Sequence, residues 1–362
     1  MFARASGRAR AGVRTAIHRS GAAAAVRALL LLLVASGAAC DAPAARDDTA
    51  STIVAVDDAG DTLRLAAPAQ RIVSTVPAQT QILLALGAGD RIIARTDFDT
   101  QPELAHLPST GNGITPNVEW IAAQRPDLVI SWADTQSRSV IARLSALGIP
   151  AYASAVETID DILRSIERLG ALTDRDAAAD SIVHDIRQEL EAVARDVANR
   201  PRTRVMYVIG IEPLMVAGPR TFVDEALTIA GGDNVFGDTR ARWPVVSIEE
   251  VIRRDPEVII VGLGRTAAEA DSVTARLRTA PGWRELRAVR EGRVHWADPY
   301  EFNRPSPTIG RSARRFAEML SDVGPSESEE SAGRAAPGAA MPDNNLDGRD
   351  GPDGPHGLVP LP

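Results

Sequence analysis

Glu119 to Trp132 reads EWIAAQRPDLVISW, and a second copy of its pattern returns at Glu249 to Gly262 as EEVIRRDPEVIIVG. In each copy a glutamate precedes a proline by seven residues. Ile121 with Ala122, and Val251 with Ile252, fall on one side of a short helix, while Arg125, Arg253 and Arg254 fall on another. Pro126 and Pro256 end those helices, because proline lacks the amide proton and disfavours helical geometry in the residue before it. The apolar runs that follow, Leu128 to Ile130 and Val258 to Val261, predict strands buried on both faces of a parallel sheet.

The repetition extends upstream. Arg71-Ile-Val opens a strand before Ala85-Leu-Gly-Ala-Gly-Asp90, and Arg204-Val-Met-Tyr-Val opens one before Ile229-Ala-Gly-Gly-Asp233. The fold class is therefore α/β, with two duplicated Rossmann-like lobes. Ligands of open α/β sheets bind outside the carboxyl ends of the strands, which places a ligand cleft between the lobes. Between the copies, Ile159, Ile162, Ile166 and Leu169 mark one helix. Ile182, Val183, Ile186, Leu190, Val193 and Val197 mark a longer one continuing to about Asn199, with Thr173 and Asp176 as its expected capping box. A helix of that length reads as a stiff connector between the lobes.

The ends of the chain carry different signals. Residues 1–27 hold six arginines and no acid, and the leucine-rich run from Ala28 is too short to span a bilayer. Residues 1–39 thus read as a signal peptide. Cys40, the only cysteine, excludes an intramolecular disulfide and a cysteine-based metal site. Gly37-Ala-Ala-Cys40 resembles a bacterial lipoprotein cleavage site, so Cys40 is the expected lipidation position and the membrane is met through a lipid anchor. Residues 40–51 form a tether. Ile53–Val56 and Thr62–Leu65 flank Asp57-Asp-Ala-Gly60 as a β-hairpin. The expected organisation is an N-terminal lobe at 52–157, interlobe helices at 158–200, a C-terminal lobe at 201–322 and a disordered tail at 323–362, rich in Gly, Pro, Ser and Asp. Acids in the tail lack the closing glutamate of an EF-hand loop.

All 40 basic residues are arginine against 48 acids. Loss of residues 1–39 removes six of them and no acid, moving the formal charge from −8 to −14. Such a chain has no affinity for nucleic acid or anionic lipid. His106, His184 and His295 have no metal-ligand spacing with one another, so no metal site is expected. Gly262-Leu-Gly264 lacks the third glycine and downstream acid of a dinucleotide turn, and no Ser-His-Asp order or catalytic carboxylate pair can be assigned.

Five strings occur in order across residues 52–320: Arg71-Ile-Val-Ser74 with Pro77, Ala85-Leu-Gly-Ala-Gly-Asp90, Pro126-Asp-Leu-Val-Ile130, Ala280-Pro-Gly-Trp283 and Arg304-Pro-Ser-Pro307. Together they resemble the helical-backbone substrate-binding proteins that deliver vitamin B12, iron-siderophores and haem to ABC importers. Gly210-Ile-Glu-Pro213, the segment Asp238 to Ser247 and Asn303-Arg-Pro-Ser-Pro307 are most similar to the cobalamin-binding branch. The resemblance implies a periplasmic, lipid-anchored monomer without catalysis or intrinsic cofactor. Its ligand would be a corrinoid, with an iron chelate or haem as the alternative, and its partners the ABC permease subunits. A chelatase-type enzyme on the same frame would need a histidine or carboxylate pair in the cleft.

The same resemblance assigns ligand contact to Trp132, Trp243 and Arg304, and extends it to Phe98, Met215 and Tyr300. Phe98 stands where the branch has Tyr, Gly113 where it has Trp, Met215 where it has Phe, and Gln81 where the family has Glu. By position alone Trp132 could cover a planar ring or cap its lobe's core. Arg304 could meet a ligand phosphate, propionate or amide, or lie at the surface beside the last helix. Glu119 and Glu249 could serve the helix dipole; the resemblance implies that the pair docks on the permease.

Overall fold

The central strands run as the repeated stretch predicts, all parallel and in matching order in the two lobes. The computed structural model describes residues 52–264 and 266–321. The signal peptide, Cys40, the tether and the tail lie outside the described residues.

The chain opens with the hairpin β1 (Ile53–Val56) and β2 (Thr62–Leu65). The N-terminal lobe then alternates β3 (Ile72–Ser74), α1 (Pro77–Ala85), β4 (Ile92–Ala94), α2 (Val118–Ala123), β5 (Leu128–Trp132), α3 (Ser137–Ala146) and β6 (Ala151–Ser154). Two helices follow, α4 (Ile159–Leu172) and α5 (Asp176–Val197). The C-terminal lobe contains β7 (Thr203–Ile211), β8 (Leu214–Val216), α6 (Phe222–Ile229), β9 (Gly232–Asn234), α7 (Ile248–Arg254), β10 (Val258–Val261), α8 (Ala267–Thr279), α9 (Arg287–Arg290), β11 (Val294–Trp296), α10 (Pro299–Phe302) and α11 (Ile309–Ser321).

Strand order exposes the duplication. The first sheet runs β4-β3-β5-β6 and the second β9-β7-β10-β11, every neighbour in these two runs parallel. Strand β8 is an addition to the second lobe, antiparallel to the far end of β7. The helices before β5 and β10 end alike: Arg125 and Asp255 adopt left-handed geometry, at φ 52° and 40°, immediately before Pro126 and Pro256. A left-handed residue stops the helix and the proline prevents its resumption.

Side chains alternate along the strands as the pleat requires. Ile72, Leu128 and Ile130 of the first sheet, and Val205, Tyr207, Val258 and Ile260 of the second, join Ile162, Ile166, Val183 and Ile186 of α4 and α5 in one core. The opposite faces form separate cores, Val73 and Val129 with α2 and α3, and Met206, Ile259 and Val261 with Trp283 and Leu286. Both sheets therefore share one core with this pair of helices. At 1.5 Å per residue, α5 spans about 33 Å, and its sharing of one core with both lobes makes it a rigid spine.

One local expectation is corrected. Thr173 and Asp176 do not cap α5; Arg175 occupies the cap position without a side-chain hydrogen bond. Thr173 is fully buried, and its hydroxyl donates back to the Leu169 carbonyl at 2.6 Å, closing α4 instead. The capping box belongs to α4, where Thr158 accepts from the Asp161 amide at 3.1 Å and Asp161 accepts from the Thr158 amide at 2.9 Å. Among the described residues no helix is long and apolar enough to cross a membrane, and no group of His, Cys, Asp or Glu could hold a metal ion.

Candidate functional site

In each lobe the first strand has neighbours on both sides, β4 and β5 around β3, β9 and β10 around β7. Strand order reverses there, and it is outside the carboxyl ends of strands at such a reversal that open α/β sheets bind ligands. Trp132 is the last residue of β5 and pairs in register with Ser154 on β6. It is half-buried against the shared core, with its indole Nε1 sealed from solvent and without a hydrogen-bond partner.

Beyond β6 the lobes are stitched together. The Phe222 amide donates to the Glu157 carbonyl at 2.6 Å, and the Ile159 amide donates to the Glu225 carboxylate at 2.7 Å. Burial pushes the Glu225 carboxyl above its ordinary pKa, with Asp160, Asp224 and Asp161 adding to the effect. The Phe222 ring meets Trp243 edge-on, with centroids 6.3 Å apart and planes at 61°. Trp243 is half-buried, and its loop is laced to β8 by the Val216 amide to Pro244, the Val246 amide to Leu214 and the Gly218 amide to Arg242. A backbone bridge joins Met215 to Val245. Trp243 and Met215 thus share one rim of the C-terminal lobe, beside the interlobe seam.

Arg304 forms the second cluster. Its Nη2 donates to the Phe98 carbonyl at 2.7 Å, a hydrogen bond between lobes, and its guanidinium lies 4.6 Å from the centre of the Tyr300 ring. Burial pulls the guanidinium below its usual pKa, opposed by nearby Asp99, Tyr300 and Asp298. The preceding residue sets its position. Asn303 accepts from the Tyr207 hydroxyl at 2.7 Å and donates to the Gly262 carbonyl at 2.9 Å, tying the loop to the middle of β7 and the end of β10. Burial holds the Tyr207 hydroxyl well above its ordinary pKa, so it remains a donor.

Gly262 is demanded by this tie, since a Cβ there would lie 2.3 Å from the Tyr207 hydroxyl and 2.6 Å from Asn303 Oδ1. Overpacking of this kind costs about 1–3 kcal/mol. Gly262→Ala is therefore expected to lower the melting temperature by several degrees and to weaken ligand capture through displaced Arg304; an unchanged melt and affinity would show the tie to be unimportant. Gly113 is constrained similarly: at φ +78° its Cβ would stand 2.3 Å from the Thr75 carbonyl. The backbone itself occupies the place from which an aromatic side chain would project.

Glu119 and Glu249 are each the second residue of their helix, after the capping residues Asn117 and Ser247. Both are exposed, and backbone amides at the helix start lower both carboxyl pKa values, with Arg143 contributing for Glu119 and Ser247 for Glu249. Glu119 forms an ion pair with Arg143; Glu249 forms none among the described residues. The positions are equivalent but their surroundings are not.

The structure thus gathers Phe98, Tyr300 and Arg304 in one cluster and Met215 and Trp243 on one rim, with Trp132 at the end of the facing sheet. Sequence reasoning missed Tyr207 and Asn303 as the support of Arg304, and also Asp99. The string around Asn303 drew attention to Arg304 and its prolines, whereas the partner of Asn303 stands 96 residues away.

The described fold and its sequence resemble known binding proteins. The profile of the periplasmic binding protein family matches residues 72–301. A vitamin B12-binding protein of Vibrio parahaemolyticus is 32% identical over 241 residues, covering 66% of this chain and 85% of the relative. One from Yersinia pestis is 30% identical over 259 residues, covering 70% and 88%. Among solved structures, the periplasmic vitamin B12 binding protein of Vibrio cholerae aligns with a TM-score of 0.61 at 29% identity, over 70% of this chain and 98% of that one. A periplasmic haem-binding protein from Roseiflexus aligns with a TM-score of 0.62 at 25% identity, over 70% and 98%. The matched region holds both lobes and most of the cleft residues, and on that match the chain belongs to the periplasmic binding protein family.

Proposed function

We propose that the chain is the substrate-binding lipoprotein of an ABC importer, capturing a cobalamin-like corrinoid between its lobes and presenting it to the permease. The observation that carries this reading is the interlobe cluster, in which Arg304 reaches from one lobe to the Phe98 carbonyl of the other beside the Tyr300 ring. With Trp132 on the facing sheet and Trp243 on the rim, the cleft offers flat apolar faces and a fixed guanidinium edge. A large planar ring needs both. Similarity to vitamin B12-binding relatives supports the corrinoid, and similarity to the haem-binding structure supports haem as the second reading.

Capture here needs no catalysis. The aromatic faces contribute burial, with about 0.5–1.5 kcal/mol beyond it for stacking, and the guanidinium satisfies a polar edge. The protein purified from cells supplied with cyanocobalamin is expected to retain the red corrinoid chromophore in equimolar amount. Recovery of a haem or ferric siderophore spectrum instead would replace this reading with the second one.

Cys40 supplies the membrane attachment in this account. Cys40→Ser is expected to move the protein from the membrane to the soluble fraction, because a short apolar run does not anchor a chain unaided. Continued membrane fractionation of the variant would exclude lipidation as the anchor.

A further inference from the structure

Beside the Phe98 carbonyl that Arg304 engages stands Asp99. It is 3% exposed. Its Oδ2 accepts from the Thr96 amide at 2.7 Å and from the Thr96 hydroxyl at 2.8 Å, which fixes the carboxylate. Its Oδ1 is sealed from solvent and has no hydrogen-bond partner, and Arg304 Nη1 is in the same condition. A buried acceptor on one lobe and a buried donor on the other thus flank the same interlobe hydrogen bond. Buried polar groups are normally satisfied, and charged ones especially so.

The chemistry that would satisfy both is specific. A carboxylate suits a guanidinium alone, but Arg304 is already within electrostatic reach of the Asp99 and Asp298 carboxylates. A ligand acid would add a third anion around one cation and offer no proton to Asp99 Oδ1. A primary carboxamide carries no charge; its carbonyl accepts from Nη1 while its amino group donates to Oδ1.

We infer that Asp99 and Arg304 together read a neutral primary carboxamide on the ligand and disfavour a carboxylate at that point, making Asp99 a specificity-determining residue. This rests on the cleft's assignment as the ligand site and deepens it. A corrin ring carries peripheral primary amides, whereas haem presents carboxylates. The pair therefore favours the corrinoid among ring ligands of similar size.

The test is titration of wild type and Asp99→Asn, followed by tryptophan fluorescence, with cyanocobalamin and with its monocarboxylic acids, each having one side-chain amide hydrolysed. Like charges brought together across an interface oppose binding strongly. Wild type should bind at least one monoacid roughly tenfold or more weakly than cyanocobalamin. Asp99→Asn should reduce that difference to about threefold or less, because a neutral amide can donate to the ligand acid. The variant can keep both Thr96 bonds through its carbonyl oxygen, and a matching thermal melt checks that it folds.

Equal binding of cyanocobalamin and every monoacid by wild type would overturn the inference while leaving corrinoid capture intact. So would undiminished discrimination in a folded Asp99→Asn. Failure of wild type to bind cyanocobalamin, together with tight binding of haemin or a ferric siderophore, would instead overturn the ligand reading and this inference with it. Because the first comparison uses wild type only, a variant that does not fold leaves the inference open to refutation.

Discussion

Arg304→Ala is expected to weaken ligand capture by roughly tenfold to a hundredfold, since a hydrogen bond to a charged group contributes about 1.5–3 kcal/mol. The substitution removes the interlobe bond to Phe98, the cation held near Tyr300 and the donor that remains for ligand. Thermal stability should change much less, because the lobes are joined through α4 and α5 in one continuous core. Arg304→Lys should not restore affinity: an ammonium keeps the charge but not the planar fork that serves Phe98 and a ligand group together. Titration of both variants beside wild type reads the result. Wild-type affinity in Arg304→Ala would remove the guanidinium from the site.

Reversal of both exposed glutamates that we propose to dock on the permease, Glu119→Arg with Glu249→Arg, is expected to abolish uptake in cells while leaving ligand affinity unchanged. The two side chains occupy the same place in equivalent helices, one on each lobe, and are exposed to a partner. In the proposed docking, a permease of two like subunits would offer matching contacts to such a pair. The ion pair between Glu119 and Arg143 makes the two sites unequal, since a permease cation must compete with Arg143 at one and not at the other. Glu249→Arg alone should consequently impair uptake more than Glu119→Arg alone. Normal transport by the double variant would return both glutamates to a purely helical role.

The repeated stretch made the parallel strands, their helices and the two lobes legible because each depends on local pattern: apolar runs, proline stops and helical periodicity. Strands β8 and β9 were not legible. They have three residues each, and Gly232-Asp-Asn234 has no strand character apart from its pairing with β7. The Thr173 signature misled because burial turned its hydroxyl toward the preceding helix. At the site, Trp132, Trp243 and Arg304 stood out by residue type and resemblance. Their support did not, since Tyr207 and Asn303 lie 96 residues apart, and Arg304 finds Phe98 at a separation of 206. Sequence adjacency contains no sign of such contacts.

The proposed capture of a corrinoid in the interlobe cleft is tested by calorimetric titration of the purified protein with cyanocobalamin, haemin and a set of ferric siderophores, repeated on Trp132→Ala. Cyanocobalamin is expected to bind saturably, one to one and more tightly than any of the others, and roughly tenfold or more weakly to the variant through loss of an aromatic face. Tight binding of haemin or a siderophore with none of cyanocobalamin, or cyanocobalamin bound equally by wild type and Trp132→Ala, would contradict it.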